Sequence, residues 1–512
     1  MATIPPPMPA RNRRRLMGEV SGVIERSVSV SALARWMPQA RWDAACAVIT
    51  PVTSNERTTA SGPGEAVHDE RTAGRLHQVL EARGEHAPDA DPEAPMVLEY
   101  RESLIYTLGK AAELEHLVMC QYLFAAFSLK VNEREGISPE GLEMAKRWRR
   151  TLVEIAEQEM LHLALVQNLL TAVGAAPRMA RPNFPLPPRS YPAGIQMALL
   201  PFGEASLRHF AYLERPEGHD IADAEEFAAL AKATPLPRAD EDEIGPHLQD
   251  FDTIGHLYRS IEDGIVRLAG RLGEERLFIG PPAAQATSAH FRWEELVAVT
   301  DVASAHAALD TIVEQGEGAR GDWHDAHFGR LIAVLDEYVA ARAADPAFEP
   351  TRPVVPSWVR QPELETVVPI ITDAFTIRCM DLLNAVVEVL LQMLSRYFAH
   401  TTETDEQLGV LADLAVGLMY EAVRPLGGMV TRLPIGPDYP GLTAGPTFEL
   451  FYAVDYLLPH RDAAWLVMEE RLREVAELAT RCRDACIPSF MVPLSKVTDA
   501  LRSYADRLAA AR

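Results

Sequence analysis

From Met96 onward the apolar residues recur at helical spacing, and before that point they do so only over TAGRLHQVLEARGE. VLEYRESLIYTLGKAAELEHLVMCQYLFAAFSLK keeps apolar positions three and four residues apart along its whole length, which predicts one long helix. VNEREGIS interrupts it. Ser138 and Pro139 then supply an N-cap and a first-turn proline for a second helix through GLEMAKRWRRTLVEIAEQEMLHLALVQNLLTAVG, stopped by Gly174 and Pro177. APRMARPNFPLPPRSYPAGIQMALLPFG holds too many prolines for a helix and predicts an extended arm across the bundle.

GEASLRHFAYLE predicts a short helix. FDTIGHLYRSIEDGIVRLAG, VASAHAALDTIVEQGEG and HFGRLIAVLDEYVAA predict three more, and RLFIGPPAAQATSAHFRW is turn-rich with room for a short strand. DPAFEPTRPVVPSWVRQP marks a boundary at residues 345–362. Beyond it IITDAFTIRCMDLLNAVVEVLLQMLSRYFAH, QLGVLADLAVGLMYEAVRPLGGMVTRLP and HRDAAWLVMEERLREVAELATRCRDAC are helical again. The expectation is a mainly all-α chain. It has a Pro/Arg/Ser-rich, partly disordered region over 1–93 (with one short helix at TAGRLHQVLEARGE), a helical domain over 94–345 and a second helical domain over 362–512.

Charge narrows the partners. Lys plus Arg number 49 against 73 Asp plus Glu, a formal charge of −24, which should repel nucleic acid and anionic membrane surfaces. No apolar run reaches the roughly 18 to 20 residues of a membrane span. Five cysteines form no disulfide framework, and MATIPPPMPARNRRRLMGEV lacks a following apolar segment, so a cytoplasmic location is expected.

The chemistry sits on the first two long helices. Glu115 and Tyr122 are seven residues apart, and Glu159 and His162 three, so each pair shares a helix face that is otherwise apolar. Buried carboxylates and imidazoles are costly unless paired or bound to metal. A Glu on one helix and a Glu-x-x-His on the next make half of a carboxylate-bridged di-iron site, which in full uses four carboxylates and two histidines. No second Glu-x-x-His follows. The remaining metal ligands are sought in Glu314 and His327 first, then Glu262 and Glu317, with His256 in reserve. Gly316 and Gly318 end the EQGEG helix so that His327 can turn back. Tyr122 is placed either as hydrogen-bond partner of a ligand carboxylate and electron-transfer residue, or as a core tyrosine. In the C-terminal half, Glu388 and Tyr397 are nine apart with no Glu-x-x-His, so no catalytic metal is expected there.

AAELEHLVMCQYLFAAFSL, EIAEQEMLHLALVQNLL, ARPNFPLPPRSYP, FDTIGHLYRSI and IVEQGEG together resemble the ferritin-like domain of iminophenyl-pyruvate dimer synthases, enzymes of the violacein and rebeccamycin type of pathway, over about Leu98 to Val339. The resemblance implies a ferritin-like four-helix bundle and oxidative metal chemistry, with amino-acid-derived imines as one substrate class. Three functions are carried forward. The first is a non-haem di-iron oxidase or oxygenase, with Fe (Mn being able to use the same ligands), a small-molecule substrate and O2. The second is an iron-binding, ferroxidase-like protein, and the third a metal-free structural or interaction protein on the same scaffold. Oligomeric state is left open.

Overall fold

The computed structural model describes residues 95–512 except 188–189, 193–194, 220, 225–226, 228–244, 319–321, 363–367 and 452–459. The expected N-terminal region and its short helix lie outside the described residues.

Two helices dominate the first half: α1 (Arg101–Ser128) and α2 (Pro139–Ala172). Ser138 caps α2 by accepting from the Gly141 N–H, with Pro139 at the first helical position, where its missing N–H costs nothing. α3 (Glu204–Leu213) follows the proline-rich arm, then α4 (Ile254–Leu272), α5 (Val302–Gly316) and α6 (His327–Ala344). α1, α2, α5 and α4 pack in a ring, each against the next, and form a four-helix bundle; α3 and α6 pair with each other beside it. The segment between α4 and α5 folds as short helical turns at Glu274–Leu277, Pro282–Ala284 and Ser288–Phe291, without the strand expected there.

A second ring of four comprises α7 (Ala374–Phe398), α8 (Asp405–Leu418), α10 (Arg461–Ala485) and α11 (Pro488–Ala511). A π-turn at Met419–Val423 leads from α8 into α9 (Arg424–Val430). Pro425 explains the wide turn, since it has no N–H to return to the preceding turn. The proline-rich boundary contributes β1 (Val354–Val355), paired in parallel with β2 (Thr443–Ala444).

The buried core runs without a break from the first ring into the second. Contact is closest where glycine removes a side chain. A Cβ on Gly445 would stand 2.2 Å from the Phe124 ring and one on Gly427 2.4 Å from the Phe127 ring. Arg352, 6% exposed, ties the same seam: its guanidinium donates to the Phe127 carbonyl at 2.8 Å and to Thr431 Oγ1 at 3.1 Å, and pairs with Glu135 at 2.7 Å. The arm crosses the seam without regular structure. Asn183 donates to the Leu450 carbonyl and accepts from the Leu450 N–H, at 2.7 and 2.8 Å, and Trp358 Nε1 donates to the Phe184 carbonyl.

Candidate metal centre

Buried on all sides, α1 presents Glu115 and Tyr122 to the interior of the first ring, and α2 presents Glu159 and His162. The third and fourth helices of the ring do not complete the set. Further groups enter from the neighbouring α3–α6 pair: Glu214 from the C-terminal end of α3, and His327 from the first position of α6. Two triads result, Glu115–Glu159–His162 and Glu159–Glu214–His327, in each of which one donor atom per residue lies within 4.8 Å of the others. All five side chains are at least 95% buried.

Glu159 belongs to both triads and divides its oxygens between them. Oε2 is 3.0 Å from His162 Nδ1, and Oε1 is 3.0 Å from His327 Nδ1. Glu115 Oε2 is 3.5 Å from His162 Nδ1, and Glu214 Oε2 is 3.7 Å from His327 Nδ1. The two imidazoles stack at 5.4 Å between centroids. His327 Nδ1 and Glu159 Oε1 are close yet misaligned for a hydrogen bond, and His327 Nε2 also has no hydrogen-bond partner among the described residues. Buried atoms converging without hydrogen bonds fit cations between them better than a polar network.

Side chains of α4, α1 and α5 hold the donors in place. Tyr258 of α4 donates to Glu115 Oε1, and Tyr122 of α1 donates to Glu214 Oε1. Gln315 of α5 lies with Oε1 3.1 Å from His162 Nε2, so that Nε2–H donates outward and Nδ1 faces the carboxylates. Burial and the neighbouring carboxylates push both tyrosines well above their usual range, so they stay protonated as donors. Burial and the Glu159 charge push Glu115 up to about 8. Burial would also raise Glu159, but the His327 and His162 imidazoles outweigh it and hold it well below the usual carboxylate range. Burial opposes the charged form of both histidines, yet Glu159 overrides it, raising His162 to about 10 and His327 in the same direction.

The remaining sequence candidates stand elsewhere. Glu314 is exposed on the outer face of α5, so its neighbour Gln315 is the residue of EQGEG that reaches the cluster. Glu262 is about a third exposed and pairs with His306. His256 is buried on α4 outside both triads. Glu317 accepts from the Glu217 N–H at 3.1 Å and packs on Gly255, where a Cβ would stand 2.2 Å from its carboxylate. Burial raises it to about 7. It lines the rim of a cavity of about 20 Å³ that also touches Glu115, Glu159 and Glu214 and has room for roughly one water-sized occupant. Where a second Glu-x-x-His would put a carboxylate, the chain has His324, which is exposed, so the described donors number three carboxylates and two histidines.

Sequence reading missed Glu214, Tyr258 and Gln315. Glu214 carried a usable signal: it lies four and seven residues after the buried Phe210 and Leu207, an acid on an apolar face like Glu115 and Glu159. Tyr258→Phe should leave the number of bound ions unchanged and weaken their retention by roughly 10- to 100-fold. Competition with a chromogenic chelator measures this, and unchanged affinity would assign Tyr258 to packing alone.

Residues 108–335 match the ferritin-like family model. Dichlorochromopyrrolate synthase from Lentzea aerocolonigenes is 26% identical over 430 residues, covering 77% of this chain and 40% of its own length. The 2-imino-3-(indol-3-yl)propanoate dimerase of Chromobacterium violaceum is 29% identical over 407 residues, covering 72% of this chain and 36% of its own. The chain thus spans about two-fifths of the length of the curated relatives it matches. A crystal structure of a ferritin-like protein from Caulobacter vibrioides aligns at 17% identity with a TM-score of 0.36, covering 61% of this chain and 94% of that one.

Proposed function

We propose that this chain, whose residues 108–335 form a ferritin-like domain, is a non-haem di-iron oxidase or oxygenase of small organic molecules. The observation that carries the reading is Glu159, one carboxylate shared by two buried triads that each end in a histidine. Glu115, Glu159 and His162 would hold one iron, and Glu159, Glu214 and His327 the other; iron so bound supplies the means to activate O2. Tyr258, Tyr122 and Gln315 keep the ligand atoms aimed inward. Val118, Leu213, Ile312 and Val313 line the adjoining cavity and exclude bulk water, and Glu317 and Arg215 complete its lining.

Both curated relatives are named for reactions on small molecules, and one name specifies an amino-acid-derived imine. An imine of an aromatic amino acid is therefore the first substrate to try. The test is iron content after anaerobic Fe(II) loading, followed by O2 uptake with and without such imines. About two irons per chain with substrate-dependent uptake supports the oxidase. Many irons per chain would indicate storage, and none a metal-free scaffold. Within the same assay His327→Ala should lower iron content and O2 uptake, whereas Glu314→Gln should match the wild type. Equal losses in the two variants would overturn the ligand assignment.

A further inference from the structure

A second cavity lies on the adjoining face of α1 and α2 and shares no lining residue with the cleft at the metal cluster. Glu115 and Tyr122 point one way from α1, while His116, Met119 and Leu123 point another, toward Met160 of α2 and Leu391 and Leu394 of α7. The cavity holds about 130 Å³. Apolar cavities of roughly that size stay dry and accept a benzene-sized ring.

Three features set it apart from a packing defect. His116 is 2% exposed, is hydrogen-bonded to the Met179 backbone, and lines the cavity with an Nδ1 that has no partner among the described residues. At the opposite end the wall is the π-turn, whose Met419, Tyr420 and Val423 all face the space; such turns occur often at functional sites. Just beyond the turn Arg424 stands exposed in the lining, close enough to Arg149 of α2, which lies outside the lining, for their charges to repel, and the lining carboxylate of Glu157 accepts from the Tyr420 hydroxyl at 2.9 Å. Neither arginine forms an ion pair with another described residue, in a chain of net charge −24.

We propose that this cavity is a binding site for a small aromatic carboxylic acid. Its ring is enclosed between α1, α2 and α7, its carboxylate faces Arg424 and Arg149, and a ring hydroxyl reaches His116 Nδ1. A hydroxyl suits either tautomer of that imidazole, because it both donates and accepts.

Calorimetric titration of the full chain with three probes tests this: 3-(4-hydroxyphenyl)propanoate, 3-phenylpropanoate and 3-phenylpropanamide. The hydroxylated acid should bind tightest, and His116→Leu should weaken it roughly tenfold while leaving 3-phenylpropanoate nearly unchanged. Arg424→Gln should remove the several-fold advantage of the acid over its amide. Iron content should be wild-type in both variants, and affinities should be equal in iron-loaded and iron-free protein, which separates this site from the metal centre. Ala164→Phe, which places a ring inside the cavity, should abolish binding of all three. The wild-type titration stands whether or not the variants fold. Absence of binding by any probe, or binding that requires iron and survives His116→Leu, would overturn the proposal.

Discussion

Glu159→Ala should leave the protein unable to retain either iron, whereas Glu115→Ala should lose the ion of one triad. Glu159 is the member common to both triads, with one oxygen toward each histidine. Removing it leaves Glu115 with His162, and Glu214 with His327, two donors per site, too few to hold iron against water. Removing Glu115 leaves the Glu159–Glu214–His327 triad whole. Plasma mass spectrometry after anaerobic loading and desalting should read about two, about one and near zero irons per chain for wild type, Glu115→Ala and Glu159→Ala. Circular dichroism should stay helical throughout, since α2 runs over 34 residues and keeps its apolar packing on both sides of position 159. Equal iron in Glu159→Ala and Glu115→Ala would remove the bridging role.

The largest stability effect should come from a pair far from the metal. Arg396, near the end of α7, donates to Glu403 Oε1 and Oε2 at 2.6 and 2.8 Å, and the side chains are 2% and 0% exposed. Glu403 also accepts from Trp465 Nε1 at 3.0 Å and from the Thr401 N–H at 2.8 Å, so one carboxylate joins α7, the following loop and α10. Glu403→Ala takes the carboxylate from a buried guanidinium that keeps Thr401 Oγ1 as an acceptor, and should cost roughly 3 kcal/mol. Burial would raise the Glu403 carboxyl, but the Arg396 bonds outweigh it and bring it down to about 2 from 4.5. A depressed acid adds stability above its unfolded value and loses it as pH falls through the folded one. The urea midpoints of wild type and Glu403→Ala should therefore differ fully above about pH 4.5 and converge as pH falls toward 2. A gap that does not change with pH would mean that Glu403 acts through packing, not charge.

The long helices were legible because burial imposes its period on sequence. Glu115, Glu159 and His162 stood out as polar residues inside that period. Of the other half of the centre, His327 stood out in the sequence and Glu214 was passed over, for a physical reason: these donors come from helix ends. Glu214 follows the last turn of α3 and His327 opens α6, and they meet only because α3 and α6 pair beside the ring, which the spacing within either helix does not show. Within EQGEG, Glu314 and Gln315 differ by one position, about 100° of helix rotation, and chemistry favoured the acid while packing selected the amide. The last helix was equally hard to read, because Pro488 and Pro493 both fall in its first two turns. Pro488, at the first position, gives up an N–H that has no intrahelical partner, whereas Pro493 sits inside the helix and removes one bond of the ladder, the arrangement that in a sequence usually signals a break.

The faces of α1 and α2 that turn away from the metal cluster have a practical consequence for dissecting the protein. Met119, Leu123, Val153 and Met160 face α7 and the π-turn, and Phe124 and Phe127 are seated on Gly445 and Gly427. A fragment ending at residue 345 would carry every ligand of the proposed centre and present that stripe to water. Exposed apolar surface of such extent drives self-association. The fragment should therefore accumulate in inclusion bodies when expressed alone and become soluble when residues 346–512 are co-expressed in trans. Such an outcome would make the unit of folding larger than the unit that carries the proposed metal ligands.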